Sequence, residues 1–406
     1  MTTAIASHPG HRIEGRPLAD EVPLVVFAGG GTGGHLFPVL AVAEALGGIQ
    51  NSRFKIQNVE RGSSFRFAFF GSSRAMDREV IRIPDADFVQ QSVRPVSLKP
   101  WTWPGFYRHW ASSRRACRSY FERVRPAIVV GSGGYASGPP ICEAARAGIP
   151  TLLLNPDARP GLANRYLSRH AGIVCVQWAE SASHFPRSCE VVATGCPVRA
   201  QFVGADRAAG MAHFRLAADR RTLLVTGASQ GAASINSAIL ALADDIRSLG
   251  GWQILHLAGS RDAARTEAAY AKRGIEARVV PFTDRMADAM AAADLIVSRA
   301  GASTLAEITA MGKASVLLPY PFDRRRHQRE NARMLSDRGA AHLVEDRIDP
   351  GATLLGLRAA LMPLMADGVA LDRMAAAARR LGAPDAAERV GAIVRRVIGA
   401  DAKNER

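Results

Sequence analysis

With 406 residues the chain exceeds what a single hydrophobic core ordinarily organises, so two domains are expected. Its 48% hydrophobic and 22% charged residues are ordinary for a globular protein, no apolar run approaches the roughly 20 residues that span a bilayer, and the stretch before Pro23 lacks the apolar centre of a signal peptide. The net charge of +15 fits nucleic acid, an anionic membrane surface or a phosphorylated substrate, and five cysteines without a CxxC pair argue against a metal site or a disulfide frame.

Residues 1–20 read as a loose polar extension, and the chain as cytosolic by default. From there strand-like apolar runs recur, each followed by glycine and a helix-period segment: 23–30, 65–73, 127–134, 150–155, 172–177 and 190–195. The rhythm breaks near 200–220 and restarts at 221–231, 252–259, 277–282, 294–301 and 314–321. Such alternation predicts α/β architecture with parallel sheets covered on both faces, here two Rossmann-like domains facing across a cleft. Ligands of open α/β sheets bind beyond the carboxyl ends of the strands.

Three strand ends carry small-residue loops: "GGGTGGH" at 29–35, "GSGGYASG" at 131–138 and "TGASQGA" at 226–232. A loop of this kind either makes a tight turn or exposes backbone N–H groups to an anion at the positive end of a helix. None has the P-loop spacing, and no acidic residue completes a dinucleotide fingerprint. "DAD" at 85–87 reads as a solvated loop, and Glu143 as helix surface. The stretch 97–125 gathers Trp101, Trp103, Phe106, Tyr107 and Trp110 beside Arg108, Arg114, Arg115, Arg118, Arg123 and Arg125. That composition suits either an anionic membrane surface or a core-packed helix with a solvated basic face. The same residues could bind RNA, but no nucleic-acid motif accompanies them.

Further on, Ala302, Ser303 and Thr304 open a helix with Glu307 one turn later. Ser303 and Thr304 could hold phosphates and Glu307 a ribose diol, or the set could be helix-capping chemistry. Gln328 and Asn331, three apart on one helical face, offer paired donors and acceptors for sugar hydroxyls, or a solvated polar face.

The order of "GGGTGGHLFPVLAVAEAL", "GSGGYASGPPICEAARAGIPTLLLN", "PGLANRYL", "TGCPVR", "TGASQGAASIN", "SRAGASTLAEI" and "HQRENA" over roughly residues 23–345 resembles the MurG family of peptidoglycan glycosyltransferases. The resemblance implies a glycosyltransferase-B fold: a flexible extension 1–20, an acceptor and membrane domain 21–199, and a UDP-sugar domain 200–383. A C-terminal helix at about 384–400 is expected to pack back on the first domain. It implies transfer of N-acetylglucosamine from UDP-N-acetylglucosamine to lipid I with no cofactor or metal required, peripherally at the cytoplasmic face of the inner membrane. Cell-wall and division machinery are the implied partners.

Position by position, Thr32, Gly33 and Gly34 look like the loop that reaches donor sugar and acceptor phosphates, and His35 like its catalytic residue. Arg199 resembles the donor-contacting arginine, Ser229 the serine near the diphosphate, and Thr283 the residue whose backbone faces uracil. Ala302, Ser303, Thr304, Leu305, Ala306 and Glu307 match the nucleotide segment, with Glu307 on the ribose. Gln328 and Asn331 look like the sugar-reading pair. Two departures stand out: Asp157 replaces a donor-side asparagine, and Ala228 stands where glycine is usual. A related glycosyltransferase with another glycolipid acceptor, or an inactive UDP-sugar-binding relative, remain the alternative readings.

Overall fold

The computed structural model describes residues 22–31, 33–47, 49–52, 55–59, 64–74, 77, 81, 86–95, 99–227, 231–347 and 349–404. The extension 1–20, Thr32, Asp85, Ala228 and Ser229 fall outside these residues.

Each strand-like run of the sequence forms a strand. The first sheet contains β1 (Leu24–Ala28), β4 (Arg66–Gly71), β5 (Asp87–Gln90), β6 (Ile128–Gly131), β7 (Thr151–Asn155), β8 (Ile173–Val176) and β9 (Glu190–Ala193). It runs β5-β4-β1-β6-β7-β8-β9 with parallel pairing throughout. β1 is buried along its whole length because the sheet is covered on both faces. Alternate side chains feed two cores: Val25 and Phe27 join Phe69, Leu36 and Leu40, whereas Val26 and Ala28 join Phe70, Cys117 and Ile141. Each fully buried side chain of this size stabilises by about 1.5–3 kcal/mol.

The second sheet contains β10 (Arg221–Thr226), β11 (Trp252–Leu257), β12 (Ala277–Val280), β13 (Leu295–Ser298), β14 (Ala314–Leu317) and β15 (His342–Leu343), in the order β12-β11-β10-β13-β14-β15. Both sheets reverse their winding at the first strand, between β1 and β6 and between β10 and β13. The segments that follow these four strands hold the glycine-rich turns and Ala302–Glu307, which therefore lie at the two switch points where such folds bind ligands.

The helix Ala386–Asn404 buries Val390 and Val394 in the core of the first sheet. Arg395 Nη2 donates to the Ala45 carbonyl at 2.9 Å, and Arg396 pairs with Glu190 at 3.1 Å.

Four features differ from the sequence-based expectations. A short antiparallel pair, β2 (Ile49–Ser52) and β3 (Lys55–Val59), lies where no apolar alternation marked it. Within "DAD", Asp87 opens strand β5 and accepts from Tyr120 Oη at 2.6 Å, so this end of the motif is sheet edge rather than loop. β15, only two residues long, is too short to show a period. Glu143 is 2% exposed rather than on the surface, because Arg114 and Arg118 (3.0 Å) reach down from the helix Trp103–Val124 to neutralise it. Those arginines hold its carboxyl below the ordinary range against the upward push of burial.

The helix Trp103–Val124 is divided in character. Its second half buries Cys117, Tyr120 and Phe121 in the core, while at its start Trp101 (75% exposed), Trp103 and Tyr107 face outward. All five cysteines are free and buried.

Candidate active site

The loop after β1 is shaped by glycine where nothing larger fits. Gly30 and Gly31 have φ of +145° and +82°, and a Cβ at Gly29 would lie 2.6 Å from the His35 carbonyl oxygen. The Gly31 N–H donates to both oxygens of Asp77, at 3.1 and 3.0 Å. Asp77 is fully buried and also accepts from the N–H (2.8 Å) and hydroxyl (2.6 Å) of Ser72. The anion first served by this loop is therefore the protein's own carboxylate, and Arg74 donates to the Gly31 carbonyl beside it. Sequence reading missed Asp77, since nothing in "GSSRAMD" marks a side chain whose partner is 46 positions away.

Gly33 and Gly34 begin the helix Gly33–Ala45, and His35 sits in its first turn. The His35 carbonyl accepts from Ser132 Oγ of the second glycine loop. Its ring lies on Gly134, where a Cβ would come within 3.2 Å of Cε1 and Nδ1. Burial lowers the imidazole pKa from its ordinary value, opposed by the negative charges of Asp157 and Asp77. The ring is thus neutral at physiological pH, the form able to accept a proton.

Across the cleft, the helix Ala302–Ala310 starts after Gly301 with no side-chain cap. The capping alternative is thereby removed: its leading N–H groups are left for another acceptor, in the geometry that favours an anion. Ser303 Oγ instead donates to the Gly34 carbonyl at 3.2 Å, which joins the first loop to the start of this helix directly. Leu305 and Ala306 are buried and anchor the helix in the second core. Thr304 and Glu307 line a small cavity with Thr226, Ser298, Arg299 and Met290. Thr283 is buried, accepts from the Arg285 N–H at 3.0 Å, and precedes the helix Met286–Ala292 whose Met290 lines that cavity.

Arg199 and Glu307 form a buried pair, Nη2 to Oε1 4.0 Å. The guanidinium lies over Phe37 (4.2 Å) and Phe202 (5.2 Å), a cation–π seat that makes its burial tolerable. Burial pushes the Glu307 carboxyl up to about 7, moderated by the Arg199 charge.

Gln328 and Asn331 lie on the helix His327–Ser336. The Gln328 carboxamide oxygen accepts from the N–H groups of Tyr320 (2.9 Å) and Ala300 (3.3 Å), which fixes the side chain against the segment that leads into the Ala302 helix. Asn331 reaches the other domain: it donates to Asp157 Oδ1 at 2.9 Å and accepts from the Ala158 N–H at 2.8 Å. His35, Gly34, Asp157, Arg199, Ser303, Glu307 and Asn331 are therefore brought to one interdomain seam. In the aromatic set, Phe106 stacks on Trp110 (5.9 Å), whose ring covers Gly138 beside the second loop, while Trp101 and Trp103 stay exposed. Among the described residues no group of three or more His, Cys, Asp or Glu is placed to hold a metal ion.

Residues 25–176 match the N-terminal domain of glycosyltransferase family 28, and residues 222–390 its C-terminal domain. The chain is 36% identical over 387 residues to the UDP-N-acetylglucosamine–N-acetylmuramyl-(pentapeptide) pyrophosphoryl-undecaprenol N-acetylglucosamine transferase of Desulforudis audaxviator, covering 92% of this chain and 98% of that one. It is 34% identical over 390 residues to the enzyme of the same name from Desulforamulus reducens, with the same coverages. The crystal structure of Acinetobacter baumannii MurG superposes with a TM-score of 0.68 at 26% identity, covering 92% of this chain and 99% of that one.

Proposed function

We infer the reaction from one premise: the chain belongs to glycosyltransferase family 28, among the MurG enzymes. It transfers N-acetylglucosamine from UDP-N-acetylglucosamine to the muramyl sugar of the undecaprenyl-pyrophosphoryl acceptor, lipid I, which gives lipid II. The observation that carries this reading at the level of residues is the Ser303–Gly34 hydrogen bond. It supports a donor diphosphate seated between the uncapped helix Ala302–Ala310 and the loop that bears His35.

In this reading the C4 hydroxyl of the muramyl sugar attacks the anomeric carbon from the face opposite UDP, with inversion. His35 takes the hydroxyl proton, and the helix N-terminus with the Gly33 and Gly34 loop receives the charge developing on the leaving diphosphate. Glu307 accepts from the ribose hydroxyls, and Arg199 supplies the positive charge behind it. Thr283 faces the uracil, and Gln328, with Asn331, reads the sugar hydroxyls. Thr32 and Ser229 complete the two loops. We divide the chain into an acceptor domain, 21–199, and a donor domain, 200–383, with the last helix returning to the first.

The protein works peripherally at the cytoplasmic face of the membrane, with Trp101, Trp103, Phe106 and Trp110 as its contact. Their support is the exposure of Trp101 and Trp103 beside the outward Arg108 and Arg115. Among the described residues no single helix is long and apolar enough to cross a membrane.

UDP release tests the reaction. Release from UDP-N-acetylglucosamine is expected only when a lipid I analogue is present, with the disaccharide as second product. Donor binding with no acceptor-dependent release, or release with a different glycolipid alone, would replace this reading.

A further inference from the structure

Between β14 and the helix His327–Ser336 the chain reads "LPYPFDRRRHQ", residues 318–328. Pro319 and Pro321 fix φ on either side of Tyr320 and stiffen the loop. Two rings are thereby presented to solvent: Tyr320 is 48% and Phe322 61% exposed, and they meet edge to face at 5.5 Å. Asp323 closes the turn, its Oδ1 accepting from the Arg325 N–H (3.2 Å) and its Oδ2 from the Gln328 N–H (2.9 Å). Arg324, Arg325 and Arg326 are all exposed, and among the described residues their guanidinium groups make no ion pair or hydrogen bond. Arg326 holds φ of +56°, so the chain keeps a cation where glycine would be less strained.

The facing edge of the first domain has the same character. His327 Nδ1 lies 2.9 Å from the Arg159 carbonyl oxygen, so the two stretches meet across the seam. Arg159 leads into the helix Leu162–Leu167, on which Leu162, Arg165 and Tyr166 are exposed, with Arg169 just beyond. Tyr166 and Arg169 line one cavity of about 690 Å³ with Trp110 and Arg114 of the helix Trp103–Val124. A band of rings and arginines thus runs from the aromatic helix to the second domain. The carboxylates within residues 156–170 and 318–328 are Asp157 and Asp323, the one held by Asn331 and the other by its own turn. Positive charge therefore dominates this rim.

We propose that the loop 318–326 is a second membrane contact, through which the donor domain also rests on anionic lipid headgroups. The inference extends the reading of Trp101 and Trp103 as a membrane contact and rests on it. Guanidinium groups spread along an exposed turn pair with several headgroup phosphates at once, and an aromatic ring left in water beside them gains by entering the headgroup zone. With a contact on each domain, the mouth of the cleft lies against the bilayer that anchors the undecaprenyl chain of the acceptor.

The test is partition of the full chain onto vesicles of phosphatidylcholine mixed with phosphatidylglycerol. Arg324→Gln, Arg325→Gln and Arg326→Gln together should lower that partition at least about 10-fold and flatten its salt dependence, with turnover of a soluble acceptor analogue unchanged. The corresponding triple lysine variant should keep its partition, because headgroup attraction needs the charge rather than the planar fork. Phe322→Ala should lower it severalfold. Wild-type partition in the glutamine variant overturns the proposal, as does an equal loss in the lysine variant. Unchanged partition with lost turnover of the soluble analogue would assign the arginines to the acceptor's diphosphate instead. Trp101→Ala with Trp103→Ala separates the two ideas. A wild-type chain that does not partition onto anionic vesicles removes both contacts, whereas loss in the tryptophan variant with none in the glutamine variant removes only the second.

Discussion

Glu307 is a carboxyl buried against one cation, and the balance of burial and Arg199 leaves it titrating at about 7. Below that pH it is protonated and offers a donor of its own; above it both oxygens accept. Ribose hydroxyls need acceptors, so the donor KM is expected to fall as pH rises through about 7. Glu307→Gln should raise donor KM roughly 10-fold at pH 8, equivalent to about 1.4 kcal/mol, and flatten that dependence. An unchanged slope in the variant would assign it to another group. His35 and Glu307 were legible in the sequence because each lies within a few positions of a glycine-marked strand end. Asp77 and the buried state of Glu143 were not. Their partners are 46 and 29 positions distant, and no local pattern encodes such a pairing.

One helix packed on the second sheet is held by a buried polar network. The helix Ala233–Leu249 follows the third glycine loop, and its Asn236 Oδ1 lies 3.0 Å from His256 Nε2 on β11. His256 Nδ1 meets Tyr270 Oη at 2.9 Å, from the helix Ala263–Lys272. Asn236 also donates to the Ala258 carbonyl (2.9 Å) and to Asp262 (3.1 Å), so one side chain ties two helices and a strand end together. Burial lowers the His256 pKa to about 4. Because the unfolded imidazole binds its proton near 6.5 and the folded one does not, stability is lost as pH falls from about 6.5 toward 4, by about 3 kcal/mol. Glu307 runs the other way: raised to about 7, it adds stability as pH falls through that range. His35, also lowered by burial, acts in the same sense as His256, so the wild-type chain is expected to lose stability as pH falls, with Glu307 offsetting part of the loss. In urea unfolding, Glu307→Gln should steepen that acid loss, and a flat profile in that variant would contradict the network's assignment. The strands themselves were readable from apolar runs between glycines, whereas β2, β3 and β15 carry no such run.

At the scale of the whole molecule, two sheets meet with their switch points facing, and the chain crosses back once more at its end. Val390 and Val394 tie the last helix to the first core, so the cleft is spanned by covalent chain near Arg199 and by packing at Ala386–Asn404. The plan of two domains followed from the interrupted strand rhythm. The seam between them did not, because Asp157–Asn331 and Ser303–Gly34 join residues 174 and 269 positions apart. The outward aromatics of 101–107 give the molecule one face suited to a lipid surface. Replacing Trp101 and Trp103 by alanine should reduce flotation with anionic vesicles severalfold while leaving turnover of a soluble acceptor analogue intact. Equal flotation would place the membrane contact elsewhere.

The central claim is that the glycine loop bearing His35 and the uncapped helix at Ala302 hold one diphosphate between them. A crystal structure with UDP-N-acetylglucosamine tests it most directly. The account predicts phosphate oxygens on the N–H groups of Ser303 and Thr304, ribose on Glu307, and the anomeric carbon turned toward His35. Uridine diphosphate found at another strand end, with the Ala302 helix facing only water, would contradict it.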